Sequence, residues 1–401
     1  MSSRAVLVLT TSDPERLARI RRNVEALAAG GFAVDIASPY GTHTLPVRQH
    51  ILIDPHRSAA QNRRAQGLTR AAFAAASCMA PKPDLVRILL QGQYGLALIK
   101  ESIARIRHDL YLVEEVELLP FALELATRNR SRVMVDLRDF NWTLEHKPAF
   151  GRRMSHKRQS VLYQTFLPQA HQVLVVSRSQ QEQLVAELGV NSKVMLSTPW
   201  HVAIEPAAPT PGKVRIVYHG RAEPNRKIEV LLDAMCLLDD SYTLDLFLVP
   251  GDHQYIDKLK NHTKCDQRIA LRDPVPLSEL VSATAGFDVG LAFFPPATSN
   301  LASALPNKVF EYVQARLALV TGPTPDIAHL VEAYGCGLVT DDFSAPALAK
   351  SLASLDHEAL VRLKSASHAA AATLCFEKQA GVLLDAVRHL LQQGVASLDG
   401  V

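Results

Sequence analysis

The feature that most constrains this chain is an alternation of strand and helix patterns that occurs twice, on either side of a proline-rich segment. Residues 205–212 read EPAAPTPG, a composition that disfavours both helix and central strand and predicts a linker. Strands that are separated by helices form parallel sheets covered on both faces. The 401 residues therefore predict two doubly wound α/β domains.

In the first half, a helix is predicted to start at Asp13 and Pro14, because an acidic N-cap and a proline at the first helical position both favour one. Gly30 predicts its end. Ser177 and Gln180 form a capping-box pattern for a later helix. Strands are predicted at residues 4–10, 32–37, 110–113, 132–137, 172–176 and 193–196.

The second half shows the same order of elements. Strands are predicted at 214–218, 243–249, 268–271, 287–292 and 317–320, and helices at 227–238, 254–261, 277–283, 308–315 and 376–392. Such sheets bind ligands beyond the carboxyl ends of their strands. We expect two Rossmann-like domains, 1–205 and 206–375, that face each other across a cleft, and a C-terminal helix, 376–401, that crosses back to the first.

Composition places the chain among globular proteins, with 48% apolar and 21% charged residues. The five cysteines are scattered, which favours a reducing compartment and argues against a zinc or redox site. No apolar run approaches the roughly 20 residues that span a bilayer, and the N-terminus resembles a first strand more than a signal peptide. We expect a cytoplasmic protein, attached at most to the inner face of a membrane.

Charge is distributed unevenly between the two halves. Residues 1–205 carry 26 Lys and Arg against 18 Asp and Glu, a net +8, whereas residues 206–401 carry 17 against 22, a net −5. A basic first domain suits an anionic acceptor or lipid surface, and the dense basic stretch 151–158 could make that contact. The uneven charge could instead be a drift of surface charge between domains, and residues 151–158 could instead form a solvated helix face.

Two segments of the second half are candidate anion sites. Gly220, Arg221 and Lys227 surround a predicted strand-to-helix turn, where a guanidinium fork and a mobile ammonium would suit a diphosphate. A solvated basic loop is the alternative. Further on, Lys308 lies in the first turn of a predicted helix whose free N–H groups could face an anion. Glu311, one turn later, could hold a ribose diol, or the two could form a surface ion pair.

Residues 306–320, PNKVFEYVQARLALV, resemble the P-x-K-x-x-E-Y-x-x-x-G-x-P-V-V signature of retaining family 4 glycosyltransferases, or glycosyl transferases group 1, which have the GT-B fold. Residues 11–38, 109–125 with 133–136, 172–177 and 287–291 are similar to further segments of that family. The resemblance thus extends over most of the chain. Each motif alone is only modestly specific for the family, but their order and spacing together are more specific.

The resemblance implies that Arg221 and Lys227 bind the donor diphosphate and stabilise the leaving nucleotide without a metal or other cofactor. It also implies that Glu311 binds the ribose and that the backbone near residues 274–277 holds the base. The departing phosphate would be the base for the acceptor hydroxyl. The implied donor site comprises Gly220, Arg221, Lys227, Pro274, Pro276, Leu277, Asn300, Ser303, Pro306, Asn307, Lys308 and Glu311.

Three positions depart from the family pattern. Ser303 stands where the family often has a first glutamate, so Asn300 or Ser303 would replace its contacts with the donor sugar. Arg316 and Ala318 replace a glycine and a proline. The first loop carries Thr-Thr-Ser at residues 10–12 in place of a glycine pair.

Glu114 and Glu115 occupy the place where related enzymes often carry His-Asp, and both are candidate catalytic residues. A carboxylate there could orient the acceptor hydroxyl or stabilise developing positive charge. An acid favoured by a helix N-terminus is the alternative. The expected acceptor-side residues are Thr11, Ser12, Asp136 and Asp139.

The sequence therefore predicts a hexosyltransferase-like enzyme that moves a sugar from a UDP- or GDP-linked donor to a carbohydrate, lipid-linked or other hydroxyl acceptor, in surface polysaccharide or glycolipid assembly. No nucleic-acid partner is expected. A nucleotide-sugar isomerase or epimerase of the same architecture is one alternative. A non-catalytic nucleotide-binding partner protein, suggested by Ser303 and the altered glycine and proline positions, is the other.

Overall fold

The fold is taken from a computed structural model that describes residues 3–53, 82–138, 157–264, 266–297, 299–303 and 305–396. The chain divides into two compact units, Met1–Met195 with Ala380–Val401, and Leu196–Gln379. Residues 196–205, which the sequence assigned to the first domain, thus lie in the second unit. The reason is that the Val202 N–H donates to Gln314 Oε1 at 3.0 Å, and its carbonyl accepts from the Arg316 guanidinium at 2.5 Å.

The first unit contains a seven-stranded sheet in which all pairs are parallel, in the order β3-β2-β1-β4-β5-β6-β7. The strands are β1 Ala5–Leu9, β2 Ala33–Ser38, β3 Gln49–Leu52, β4 Leu110–Val113, β5 Arg132–Leu137, β6 Gln172–Val175 and β7 Ser192–Val194. Among the residues that the structure describes, its α-helices are α1 Ala18–Ala29, α2 Pro83–Gln93, α3 Leu96–Ala104, α4 Leu119–Asn129 and α5 Arg178–Leu188. All residues of β1 and β4 are buried, because helices cover both faces of such a sheet.

The predicted start of the first helix is wrong by about one turn. The helix α1 begins at Ala18, and Asp13 instead holds a preceding turn, in which its carboxylate accepts from the Glu15 N–H at 3.0 Å. The capping prediction for α5 is confirmed, since Ser177 Oγ accepts from the Gln180 N–H at 3.2 Å. The helix ends at Gly189, which takes a φ of +64° that glycine adopts without strain.

The second unit contains a six-stranded sheet, again parallel throughout, in the order β10-β9-β8-β11-β12-β13. The strands are β8 Val214–Ala222, β9 Tyr242–Pro250, β10 Ile269–Arg272, β11 Val289–Ala292, β12 Ala318–Thr321 and β13 Gly337–Val339. The α-helices are α6 Glu229–Met235, α7 His253–Thr263, α8 Leu280–Thr284, α9 Ser299–Ala302, α10 Asn307–Gln314, α11 Pro325–Tyr334, α12 Ala345–Ala353, α13 His357–Ala371 and α14 Phe376–Ala396, the last of which passes into the first unit at Ala380.

In each sheet the strand order reverses beside the first strand of the unit, at β1 and β4 in one and at β8 and β11 in the other. Ligands of doubly wound sheets bind at such switch points, outside the carboxyl ends of the strands. The loops that follow β1, β4 and β8 are therefore the places where each unit is expected to hold a ligand. Two polar clusters occur there.

Arg316 occupies the position at which the family pattern has a glycine. Its φ is +63°, in the left-handed region that glycine adopts freely and that costs other residues about 1–3 kcal/mol. The guanidinium is buried and donates to the carbonyls of Val202, Val313 and Gln314. Hydrogen bonds of a charged group, worth about 1.5–3 kcal/mol each, offset the backbone strain. Arg316 is thus a structural link between the residues after 195 and the end of α10.

Candidate functional site

The cluster in the second unit surrounds the end of β8. Gly220 has a φ of +148°, and a Cβ placed on it would lie 3.2 Å from Lys308 Nζ and 3.7 Å from the Tyr218 hydroxyl. A side chain at this position would therefore be strained and would crowd the ammonium. Gly220 leaves room for Lys308 to lie against the backbone of the strand.

Lys308 belongs to the first turn of α10, and it is only 8% exposed. Its Nζ lies 3.8 Å from the centroid of the Tyr218 ring and 5.6 Å from that of Phe294. Burial, and secondly the charge of Arg226, lower the pKa of Lys308 to about 7, while Glu311 acts in the opposite direction. Near neutral pH this side chain is therefore about half charged, and a bound anion would favour the charged form.

Arg226 is a candidate residue that the sequence reasoning did not single out. It ends the 3-10 helix Pro224–Arg226, and its Cζ lies 5.5 Å from the centroid of the Phe294 ring, the ring that Lys308 also approaches. Its position next to Lys227 in the same strand-to-helix turn was the signal available in the sequence. The fold places Arg226 beside the buried ammonium.

His219 and Glu311 form the other side of this cluster. His219 Nε2 lies 3.4 Å from Glu311 Oε2, and both residues are buried. The backbone N–H of His219 donates to the Tyr312 hydroxyl at 3.0 Å, and the His219 and Tyr312 rings meet edge to face. Burial, and secondly Lys308, lower the pKa of His219 to about 3, so the imidazole is neutral at physiological pH. The cluster therefore holds a neutral ring and a carboxylate beside an ammonium.

The two cations chosen from the sequence lie at the surface. Arg221 is 63% exposed along its side chain and pairs with Glu223, with 3.0 Å between Nε and Oε1. Lys227 is 53% exposed, and its Nζ lies 3.7 Å from Glu229 Oε1. In this structure both cations are therefore paired with surface carboxylates and largely exposed, unlike the buried Lys308.

The remaining residues of the predicted donor site lie on three segments. The loop after β10 contains Pro274, Pro276 and Leu277, all exposed. Asn300 belongs to the short helix α9, and Ser303 is buried just after it. Pro306 precedes α10 as its N-cap, and Asn307 is exposed at the first position of that helix.

The cluster in the first unit centres on Glu115, just after β4. Its Oε1 accepts hydrogen bonds from the Thr10 hydroxyl at 3.0 Å, the Ser12 hydroxyl at 2.8 Å and Arg138 at 3.0 Å. Its Oε2 accepts from the Thr11 N–H at 3.0 Å. The loop that lacks the family glycine pair is thus held against this carboxylate. The structure brings Thr11, Ser12 and Glu115 together.

Asp136 lies deeper in the same cluster and is fully buried. Its two oxygens accept from the Arg19 guanidinium, each at 2.7 Å, and Asn23 donates to one of them at 2.8 Å. The side chain of Asp136 is therefore bound to α1 rather than open to a ligand. Asp139, the other predicted acidic residue, lies outside the described residues.

Glu114 is buried between these groups and accepts from Asn23 Nδ2 at 3.2 Å through Oε1. Its Oε2 has no hydrogen-bond partner among the described residues, and Arg138 Nε lies 3.8 Å from it. Burial, and secondly the nearby Asp136, raise the pKa of Glu114 to about 8. A carboxyl group with such a pKa can exchange a proton near neutral pH.

Glu114 and Glu115 border a pocket of about 190 Å³ that lies wholly within the first unit. Its lining consists of Glu114, Glu115, Val116, Glu117, Leu137, Arg138, Gln159 and Tyr163. Among the described residues, no group of three or more His, Cys, Asp or Glu side chains is arranged to hold a metal ion. The described helices also include none that is both long and apolar enough to cross a membrane.

Part of the second unit matches a known protein family. Residues 213–357 match the model of the family Glycosyl transferases group 1. This segment contains β8, α10 and hence the whole cluster around Lys308. No curated protein sequence matches the chain significantly.

Solved structures resemble nearly the whole chain. A sucrose-phosphate synthase from Thermosynechococcus elongatus has a TM-score of 0.69 at 14% identity, covering 97% of this chain and 100% of its own. Anabaena HepE in complex with UDP-glucose has a TM-score of 0.62 at 13% identity, covering 99% and 100%. WaaG, a glycosyltransferase involved in lipopolysaccharide biosynthesis, has a TM-score of 0.59 at 12% identity, covering 94% and 99%. The predicted fold class is confirmed: the chain has two Rossmann-like parallel-sheet domains of the GT-B glycosyltransferase fold.

Proposed function

We propose that this protein is a retaining glycosyltransferase that uses a nucleoside-diphosphate sugar as donor and a hydroxyl group as acceptor. The observation that carries the proposal is the buried ammonium of Lys308, whose lowered pKa shows that Glu311 offsets the effects of burial and of Arg226 only in part. Burying a cation whose charge is only partly compensated is costly unless a ligand supplies more of the opposite charge. The family match over residues 213–357 and the UDP-glucose complex of HepE support a nucleotide sugar as that ligand.

In this proposal the donor diphosphate lies against Lys308, Arg226 and the N-terminus of α10, where the N-cap residue Pro306 makes no side-chain capping hydrogen bond. Glu311 accepts hydrogen bonds from the ribose hydroxyls. Arg221 and Lys227 leave their carboxylate partners and contact the same phosphates. Pairs of this kind at the surface are worth only about 0–1 kcal/mol, so they separate readily.

The proposed reaction breaks the bond between the anomeric carbon and the phosphate oxygen and forms a bond from that carbon to the acceptor oxygen. The acceptor proton passes to the departing phosphate, on the same face of the sugar. The cations around Lys308 stabilise the charge that develops on the leaving group. The similar structures include WaaG, a glycosyltransferase involved in lipopolysaccharide biosynthesis, which supports a role in assembling surface polysaccharides or glycolipids.

Thermal unfolding in the presence of UDP, GDP, UDP-glucose and GDP-mannose tests the donor site. We expect one nucleotide class to raise Tm by several degrees at millimolar concentration, because a ligand that binds only the native state stabilises it. Release of nucleotide should then require an acceptor, and the product should keep the anomeric configuration. Absence of any shift would contradict the proposal, and an isomerised nucleotide sugar formed without acceptor would favour the isomerase.

The affinity for UDP-glucose should fall as pH rises, if this is the donor. Only the ammonium form of Lys308 attracts a diphosphate, and its pKa of about 7 in the free protein means that the charged fraction declines above pH 7. Binding should raise that pKa, so we expect about 20-fold weaker binding at pH 8.5 than at pH 6.5. Isothermal titration calorimetry measures this directly, with proton uptake as a second signal. A constant affinity over this range would contradict the role given to Lys308.

A further inference from the structure

The end of β8 contacts one turn of α10 through successive residues. Lys308 Nζ lies 3.8 Å from the centroid of the Tyr218 ring. The backbone N–H of His219 donates to the Tyr312 hydroxyl at 3.0 Å, and the centroids of the His219 and Tyr312 rings are 4.8 Å apart. His219 Nε2 lies 3.4 Å from Glu311 Oε2. The backbone and the ring contact therefore hold the imidazole of His219 beside the Glu311 carboxylate.

The imidazole of His219 is placed to donate to that carboxylate. Nε2 is buried and forms no complete hydrogen bond with a described residue. At 3.4 Å, Glu311 Oε2 is only slightly beyond the usual N–H···O range of about 2.7–3.2 Å, so a small rotation completes the bond. A carboxylate can only accept hydrogen bonds, so it selects the imidazole tautomer that carries the proton on Nε2.

His219 can orient Glu311 without neutralising it. Burial, and secondly the nearby Lys308, lower the pKa of His219 to about 3, so the ring is neutral at physiological pH. Hydrogen bonds to an ionised acceptor are stronger than those between neutral groups. A carboxylate that is held by a neutral donor keeps this advantage for a ligand, whereas a cation at position 219 would form an ion pair with it.

We propose that His219 is a positioning residue that holds the Glu311 carboxylate in the orientation that accepts from both hydroxyls of the donor ribose. The inference rests on the proposed transferase function, and it makes the site selective for ribonucleoside over 2′-deoxyribonucleoside diphosphates. The terminal torsion of a glutamate is broad, and a cis diol pairs with both oxygens in only part of that range. The hydrogen bond from His219 to Oε2 restricts the torsion to that part.

Calorimetric titrations of the full chain with UDP and 2′-deoxy-UDP test the inference; GDP and 2′-deoxy-GDP replace them if guanine is the preferred base. The wild-type protein should bind UDP at least tenfold more tightly, as is typical of one hydrogen bond to a charged group. His219→Phe keeps a ring against Tyr312 but has no donor, and should reduce this preference to less than about threefold. His219→Gln places an amide N–H near the position of Nε2 and should keep the preference above about fivefold.

The affinity for 2′-deoxy-UDP separates positioning from a general disturbance of the fold. In His219→Phe it should stay within about threefold of the wild-type value, because the phosphate contacts remain. His357→Phe, the same substitution at the exposed first position of α13, is the matched control and should retain the full preference.

Three results would overturn the role given to His219: an unchanged preference in His219→Phe, an equal loss of affinity for both nucleotides in that variant, or a His219→Gln variant that behaves like it. UDP binding by the wild-type protein without any preference over 2′-deoxy-UDP would refute this inference alone. Absence of binding by every nucleotide would refute the proposed function.

Discussion

Replacing Lys308 by methionine should weaken UDP-glucose binding at least 100-fold at pH 6.5, if UDP-glucose is the donor. Truncating one member of a desolvated charge pair costs about 2–5 kcal/mol, and 100-fold corresponds to about 2.8 kcal/mol. Methionine retains an unbranched apolar chain that can pack on Tyr218 and Phe294, the rings that Lys308 now approaches. Calorimetry at fixed pH measures the change, and the variant should also lose the pH dependence.

The same substitution should make the ligand-free protein more stable. The lowered pKa of Lys308 shows that the fold disfavours its charged form, and methionine has no charge to bury. Activity and stability then change in opposite directions, as is common at binding sites. Lys350→Met is the matched control, because Lys350 is exposed and pairs with Asp341. If Lys308→Met bound UDP-glucose as tightly as this control, the anion site would have to lie elsewhere.

Replacing Arg19 by methionine should lower the free energy of unfolding by about 3–5 kcal/mol, the usual cost of removing one member of a buried ion pair. Arg19 contacts both oxygens of Asp136 at 2.7 Å and the carbonyl of Met195 at 2.9 Å, and it is 4% exposed. Without it, the Asp136 carboxylate would remain buried beside Glu114. Urea-induced unfolding, followed by circular dichroism and by a spectroscopic probe attached in the first unit, measures the decrease in the free energy of unfolding.

Two further variants test whether the loss of stability comes from the buried Arg19–Asp136 ion pair or from any substitution near Arg19. Arg16→Met removes an arginine that is 88% exposed and pairs with Asp13, and it should change stability by no more than about 0.5 kcal/mol. Adding Asp136→Asn to Arg19→Met removes the uncompensated charge and should recover part of the loss. A loss below about 1 kcal/mol in Arg19→Met would show that Asp136 is not held as a charged group.

Of the two residues replaced in these predictions, the sequence selected Lys308 as a candidate anion-binding residue and did not select Arg19. Arg221 and Lys227 were chosen because they surround a strand-to-helix turn, yet that spacing does not determine which cation the core encloses. Arg226, adjacent in sequence to Lys227, approaches Phe294, which is far from it along the chain. Likewise, the motif identified Lys308 as a helix residue, but its burial against Tyr218 depends on the packing of α10 on β8.

The sequence by itself determined the architecture, because strand and helix periodicity is local and appears in each half of the chain. It also determined the position of α10, whose proline and apolar pattern are local signals. Only the tertiary structure decided that Glu114 is buried beside Arg138, that Asp136 is bound by Arg19 and that Lys308 is nearly enclosed. Exposure and pKa depend on groups brought together from distant parts of the chain, so no spacing within a single segment can specify them.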